Sequence, residues 1–443
     1  MTHGATIARP VRVAVTGTLL AGLLAAAAAN GAAAAQPAEP AKSALSGGSS
    51  TPAGAVRAAA TSSATDQRIQ DKLASRSTDW RLGPDLAGVA TDAQSGRVIW
   101  GHSRTELQMP ASNAKLVTAA NALAVFGPDH RFVTRTVKGH YWRNVYLVGG
   151  GDPSLHRRDL DRLARSTATA VKAHGPHRVR VFVDDSLFPG PTLAYGWKGT
   201  YEIEDVSPVR ALVVARHRRW DTAIDAGHVF AGQLAAYGVH VRSVSRRARP
   251  ARPVEIARTH GDALSTMVGW MLRESDNDYA EHLHRLVAVG TGRAAGWRGA
   301  RLAQRAVLSA SGVDLGTSTL YDGSGLSRQD RIAPSKMVAV LSLVFDGLHP
   351  DIATLADGKL AIAGRTGTLA PDYLRYVTAP TDCAAGRIDA KTGSLTGVIA
   401  LSGFTTGTDG RVKLFSFLLN RAEASLRTRR AVDRLASTVT GCW

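Results

Sequence analysis

Helical periodicity appears in this chain, stops for more than a hundred residues, and then returns. Residues 111–126 follow Pro110, carry apolar side chains at helical spacing and end at Gly127-Pro128, the pattern of a buried helix with both boundaries marked. Similar spacing resumes at Ala263-Leu264 and runs to Leu286. Between them, over about 131–259, β-rich runs such as Val145-Tyr-Leu-Val148 and Val179-Arg-Val-Phe-Val183 alternate with Gly/Pro loops, with one helix expected near 229–237. Two early strands, Leu86 to Thr91 and Arg97 to Trp100, flank a turn at Gly96. A late hairpin, Val398–Thr406 and Arg411–Asn420, turns at Gly407-Thr-Asp-Gly410, and a last helix is expected over 424–439. A short amphipathic helix over 66–75 precedes all of these. This order predicts an α/β fold of α+β layers, built from residues 66–130 and 260–443 and split by a β-rich inserted region over 131–259.

The N-terminus addresses the compartment. Arg9 and Arg12 precede an uncharged stretch from Val13 to Ala35 that closes on Ala33-Ala34-Ala35. A positive end, an apolar middle and a small-residue exit are the layout of a secretory signal, so residues 1–35 are expected to export the chain, as a cleaved signal or as a retained membrane anchor. Residues 36–65 are Ala, Pro, Ser, Gly and Thr with few large apolar side chains, a flexible linker. The expected location is extracytoplasmic: secreted, wall-associated or membrane-tethered. In an oxidising space Cys383 and Cys442 are expected to pair, closing a loop that stabilises by about 4 kcal/mol; the alternative is two unpaired thiols.

Charge narrows the partners. Lys plus Arg number 54 against 36 Asp plus Glu, a net +18, which favours anionic surroundings such as a cell-wall polymer. No aromatic residues interleave with the basic ones as in nucleic-acid modules, so nucleic acid is not an expected partner. The arginine runs at 216–219 and 246–252 read as solvated loops, with weak contact to an anionic polymer as the alternative. Two cysteines are too few for zinc ribbons, H-E-x-x-H is absent, and His282 and His284 read as non-ligands, so no metal or cofactor is expected. Gly149-Gly150-Gly151-Asp152-Pro153 reads as a tight turn.

Three short motifs carry chemistry. Ser112-Asn-Ala-Lys115 opens the buried helix, Ser275-Asp276-Asn277 lies inside the returning helical region, and Lys391-Thr392-Gly393 lies just before the late hairpin. S-x-x-K alone is common; the three together, once each and in this order, are specific. A helix start leaves the Ser112 N–H without an intrahelical acceptor, free to face an oxyanion. Lys115 sits one turn on, within reach of the Ser112 hydroxyl, and must be largely neutral to serve as a base, through burial or a nearby cation such as Lys391. Ser275 is placed to relay a proton and Asn277 to orient substrate, provided a short loop joins two helices there. Thr392 and Gly393 on a strand edge would let an extended peptide add alongside, and the Ser394 N–H is the natural second oxyanion donor. No Ser lies in G-x-S-x-G.

Four segments extend the match: Ser112-Asn-Ala-Lys-Leu-Val-Thr-Ala, Leu147-Val-Gly-Gly-Gly-Asp-Pro, Asp322-Gly-Ser-Gly-Leu-Ser327 and Lys391-Thr-Gly-Ser-Leu-Thr-Gly-Val. In these the chain resembles the low-molecular-mass class C penicillin-binding proteins, D-alanyl-D-alanine carboxypeptidases that often double as DD-endopeptidases. The resemblance implies a penicillin-recognising, β-lactamase/transpeptidase-like domain with an insertion between the first two motifs. It implies acyl transfer from Ser112 on peptidoglycan stem peptides ending in D-Ala-D-Ala, covalent capture of β-lactam antibiotics, and no cofactor. It also implies an acidic residue after Gly196-Trp197 that reads the stem diamino acid; Glu202, Glu204 and Asp205 all follow, and Glu202 is the position chosen, with Arg331 as a second lining residue. Rival readings are a β-lactamase, an esterase on the same scaffold and a non-catalytic wall-binding protein. No Glu is placed by motif to activate a deacylating water, and a pure binder has no use for a nucleophile paired with a base.

Overall fold

The computed structural model describes residues 63–443. The expected signal or anchor and nearly all of the linker lie outside the described residues. Helix α1 (Ala64–Arg76) begins where the Ser63 hydroxyl accepts the Asp66 N–H, and leads into strands β1 (Asp85–Asp92) and β2 (Val98–His102) and helix α2 (Ala114–Phe126). Next come β3 (Val133–Lys138), β4 (Asn144–Val148), α3 (Arg157–Ala173), β5 (Arg178–Asp184), α4 (Thr222–Ala236), β6 (His240–Arg246) and β7 (Val254–His260). Helices α5 (Leu264–Arg273), α6 (Asn277–Gly290), α7 (Trp297–Ala310), α8 (Pro334–Ser342) and α9 (Pro350–Ala353) follow. The chain closes with β8 (Ala361–Ile362), β9 (Ile388–Leu395), β10 (Val398–Thr406), β11 (Val412–Asn420) and α10 (Leu426–Thr440). Among the described residues no helix is long and apolar enough to cross a membrane.

The first sheet is antiparallel throughout, in the order β2-β1-β11-β10-β9-β8. Its centre is buried on both faces, which explains why both faces of β11 carry large apolar side chains between Leu414 and Leu419. Phe415, Phe417 and Leu419 point toward α1 and α10, whereas Leu414 and Leu418 point toward α2 and its neighbours. Successive strand side chains alternate between faces, so one strand serves both cores. A disulfide joins Cys383 to Cys442, with Cα atoms 6.2 Å apart, and ties the segment before β9 to the chain end behind α10.

The second sheet has the order β6-β5-β4-β3-β7. Pairs β4–β5 and β5–β6 are parallel, with α3 and α4 as their crossover helices, so this region is a small α/β layer and more than β-rich. In this region the sequence reading missed helix α3, as it missed α7, α8 and α9 later in the chain. Leu160, Leu163, Ala164, Thr167, Ala168 and Val171 do repeat at helical spacing and bury against Val145, Leu147, Val179 and Val181. Arg and Thr between them dilute the apolar signal. Helix α4 starts earlier than expected, at an N-cap where Asp221 accepts the Ile224 N–H.

The arginine runs are also more structured than solvated loops. Strands β6 and β7 are the two edges of the sheet, so the connection between them crosses the face opposite the helices. There Arg247 stacks 4.5 Å over Phe182, and Arg249 donates from its backbone and guanidinium to Asp184. Arg218 and Arg219 pair with Asp278 and Asp225, and Arg216 lies over Trp270.

Candidate active site

Ser112 lies in a single 3-10 turn, Ala111–Asn113, that feeds α2, rather than in the helix itself. Ala111 holds φ +46°, a left-handed value that side-chain-bearing residues rarely adopt, immediately before the serine. One turn on, Lys115 is wholly buried. Its Nζ donates to Ser112 Oγ at 3.0 Å, Asn277 Oδ1 at 2.7 Å and the Ser324 carbonyl at 2.9 Å. Burial pulls its pKa down to about 8, against the opposing pull of Glu281, Asp322, Asp276 and Asp205. Desolvation, and not a cation at Lys391, is what brings the amine toward neutrality.

The Ser-Asp-Asn motif interrupts the helical stretch that the sequence presents as continuous. Helix α5 ends at Arg273, Ser275 turns the chain with φ +61°, and α6 starts at Asn277. Asp276 fixes the corner by accepting the Tyr279 N–H at 3.0 Å and Trp270 Nε1 at 3.1 Å. Ser275 and Asn277 thus meet at a short inter-helix corner, the condition their spacing demands. Asn277 takes Lys115 on Oδ1 and gives Nδ2 to the Asp205 carbonyl at 2.9 Å. Ser275 is half-buried at the same corner.

Lys391-Thr392-Gly393 lies within β9, the strand that precedes the β10–β11 hairpin. Lys391 is wholly buried, and its Nζ donates to the Thr392 carbonyl at 2.8 Å. Burial, helped by the charge on Lys115, holds its pKa well below the ordinary lysine value. Asn113 Nδ2 donates to the Lys391 carbonyl at 2.9 Å and so ties the Ser112 turn to the strand. A Cβ at Gly393 would stand 2.9 Å from the Pro110 carbonyl, so glycine allows this approach. Strand β8 covers only Ala390 and Asp389, which leaves Thr392, Gly393 and the exposed Ser394 on an open edge. Thr392 Oγ1 donates to Thr368 Oγ1 at 2.8 Å.

The Asp322-Gly-Ser-Gly-Leu-Ser327 segment is the back wall of this cluster. Asp322 accepts the N–H groups of Gly325 and Ser327 at 2.8 and 2.7 Å. Glu281, wholly buried on α6, accepts those of Gly323 and Ser324 at 2.9 and 2.8 Å, and burial raises its pKa. The loop so held presents the Ser324 carbonyl to Lys115 and the Gly323 carbonyl to Thr118.

The family model for the D-Ala-D-Ala carboxypeptidase 3 (S13) family matches residues 69–219 and 200–439. The chain belongs to the S13 family. It is 34% identical over 383 residues to carboxypeptidase DacB of Mycolicibacterium smegmatis, covering 81% of this chain and 82% of the relative. It is 28% identical over 423 residues to the D-alanyl-D-alanine carboxypeptidase of Actinomadura sp., covering 75% and 77%. In fold it matches penicillin binding protein 4 (dacB) from Haemophilus influenzae with a TM-score of 0.70 at 20% identity, over 82% of this chain and 99% of that one.

Other sequence-selected positions of this S13 chain fall less centrally. Glu202 ends the short turn Gly199–Tyr201, and among the described residues its carboxylate has no hydrogen-bond or ion-pair partner in the cluster. Of the three acids after Trp197, it is Asp205 whose backbone meets Asn277 and whose charge reaches Lys115. The loop is anchored by Trp197 Nε1 on Asp322 at 2.6 Å. Arg331 turns its guanidinium onto the carbonyls of Arg328 and Asp330. The Gly149–Pro153 turn is a close-packed backbone crossing, since a Cβ at Gly150 would meet the Val133 carbonyl at 2.0 Å. His282 and His284 are core residues of α6, with His282 bonded to the carbonyls of Asp278 and Arg210.

Sequence reasoning missed Glu281 as a contributor. Its signal was available only in retrospect, as an acid on the otherwise buried face of α6.

Proposed function

We propose that this S13 chain is a serine D-alanyl-D-alanine carboxypeptidase that works through an acyl-enzyme on Ser112. The observation that carries the reading is the placement of Lys115 Nζ against Ser112 Oγ, with Asn277 and Ser324 as its other partners. A neutral amine has two protons and one lone pair. Asn277 and the Ser324 carbonyl take the protons, so the lone pair faces the serine hydroxyl. Ser112 Oγ attacks the carbonyl of the penultimate D-Ala as its proton passes to Lys115. The N–H groups of Ser112 and Ser394 hold the oxyanion. The C–N bond breaks, the amine of the terminal D-Ala leaves with a proton relayed through Ser275, and water then hydrolyses the ester.

Lys391 receives the terminal carboxylate, whose negative charge favours the protonated amine there, and the stem peptide lies along the open edge at Thr392 and Gly393. The same acyl transfer with a cross-linked stem as leaving group gives DD-endopeptidase action, and a β-lactam acylates Ser112 in place of the peptide. Glu202 and Arg331 are the weaker elements of this reading, and Asp205 is the better acid for the diamino-acid side. Residues 66–130 and 260–443 act as the catalytic domain and 131–259 as an inserted one. Export by residues 1–35 suits an enzyme of the wall, as does the disulfide. The net charge of +18 suits anionic wall polymers as surroundings.

The test is intact-protein mass spectrometry after brief exposure to benzylpenicillin, with Ser112→Ala alongside. A stable one-drug adduct on the wild type alone is the expected result. Rapid drug hydrolysis without an adduct would make the chain a β-lactamase, and neither outcome would leave a wall-binding protein.

A further inference from the structure

A cleft of about 330 Å³ lies at the start of the parallel strands of the second sheet, and none of the three serine-enzyme motifs lines it. Arg143, Arg178, Arg180 and Arg242 line it, together with His177 and Pro176, and no acidic residue does. Elsewhere in the same region arginines are matched to carboxylates: Arg246 and Arg210 to Asp185, Arg249 to Asp184, Arg258 to Glu255 and Arg162 to Asp159. Among the described residues the four guanidiniums of the cleft have no such partner. Arg178 and Arg180 stand on one face of β5, two residues or roughly 6.6 Å apart along the strand. Arg242 stands on the adjacent parallel strand, one residue past the Val179–Val241 pair. Like charges placed side by side on a sheet are unfavourable unless an anion shares them.

We propose that this cleft binds a phosphodiester-linked anionic polymer of the cell envelope, holding the enzyme on the wall through a site separate from its catalytic serine. The charges spread across two strands and the preceding loop, which calls for several spaced anions rather than one. Guanidinium forks match phosphate oxygens in pairs. The cleft offers no Trp, Tyr or Phe for bases to stack on, which separates it from sites for single-stranded nucleic acid.

The experiment titrates a labelled poly(glycerol phosphate) oligomer with the full chain across a salt series. The triple variant Arg178→Thr/Arg180→Thr/Arg242→Thr is compared with Arg157→Ser/Arg298→Ser/Arg430→Ser, which removes the same charge from exposed positions elsewhere. Losing three phosphate contacts should weaken binding by about tenfold or more and flatten the log–log salt slope by about two, while the control triple changes affinity by less than about twofold. Both triples should hydrolyse a D-Ala-D-Ala peptide at the wild-type rate. If the cleft triple does not fold, Arg242→Thr on the edge strand gives the same comparison. Equal losses in the two triples, or full affinity in the cleft variant, would overturn the site. Binding of poly-glutamate or a single-stranded oligonucleotide as tight as that of the glycerol phosphate polymer would overturn the proposed occupant.

Discussion

Only deprotonated Lys115 can keep its two protons on Asn277 and Ser324 and turn a lone pair to Ser112, so the rate should follow its deprotonation. Activity is therefore expected to rise with pH through about 8. Asp205 is among the carboxylates that favour the charged amine, and its side chain makes no hydrogen bond in the cluster. Asp205→Asn removes that negative charge, which lowers the pKa of Lys115 and moves the acid limb of the kcat/KM profile to lower pH. A limb that stayed in place would deny the coupling. Ser275 presents a second test. Its φ of +61° strains any residue with a Cβ, so Ser275→Gly should stabilise the fold by about 0.5–1 kcal/mol and Ser275→Ala should not. Both variants should lose turnover by about a hundredfold if the hydroxyl relays the leaving-group proton. Chemical denaturation and steady-state kinetics on the two proteins separate the backbone effect from the chemical one.

At the scale of elements, the site depends on loops pressed against the Ser112 turn. Gly325 holds φ +81°, and a Cβ there would stand 1.9 Å from the Ala111 carbonyl. Gly325→Ala is therefore expected to cost about 2 kcal/mol or more and to displace the Ser324 carbonyl from Lys115. Thermal unfolding together with the rate of penicillin labelling would show both effects. Much of this arrangement was legible in the sequence. The three motifs, the late hairpin and the helix of residues 111–126 all followed from spacing. The turn at Ser275 did not, because one left-handed residue breaks a helix without any Gly or Pro to announce it. Nor did α3, whose buried face mixes Thr and Ala with Leu and Val and so carries a faint apolar period.

For the whole molecule, the bond between Cys383 and Cys442 closes a loop of 59 residues that contains β9, β10 and β11. Cys383→Ser/Cys442→Ser, or reduction, is expected to cost about 4 kcal/mol in the chain-entropy account, with the melting temperature falling accordingly. Wild-type stability under strong reductant would show that the packed sheet holds this end without the crosslink. The two sheets divide the work. The first supplies β9 and, between its helices, the pocket for Lys115. The second, inserted between Ser112 and Ser275, contributes the loop carrying Trp197 and Asp205 to that pocket.

The chain's own order of residues determined which groups are candidates for the chemistry, because S-x-x-K, S-D-N and K-T-G each depend on spacings of one turn or less. It also marked where helical periodicity stops and resumes, on either side of the segment that forms the second sheet. Tertiary structure alone decided how those groups are tuned. The lowered pKa of Lys115 comes from burial, the orientation of the Ser324 carbonyl from Glu281 and Asp322, and the contact of Asp205, not Glu202, with Asn277 from the path of a loop. Desolvation and long-range approach depend on what residues far apart in the chain place around a side chain, and local spacing carries no record of that.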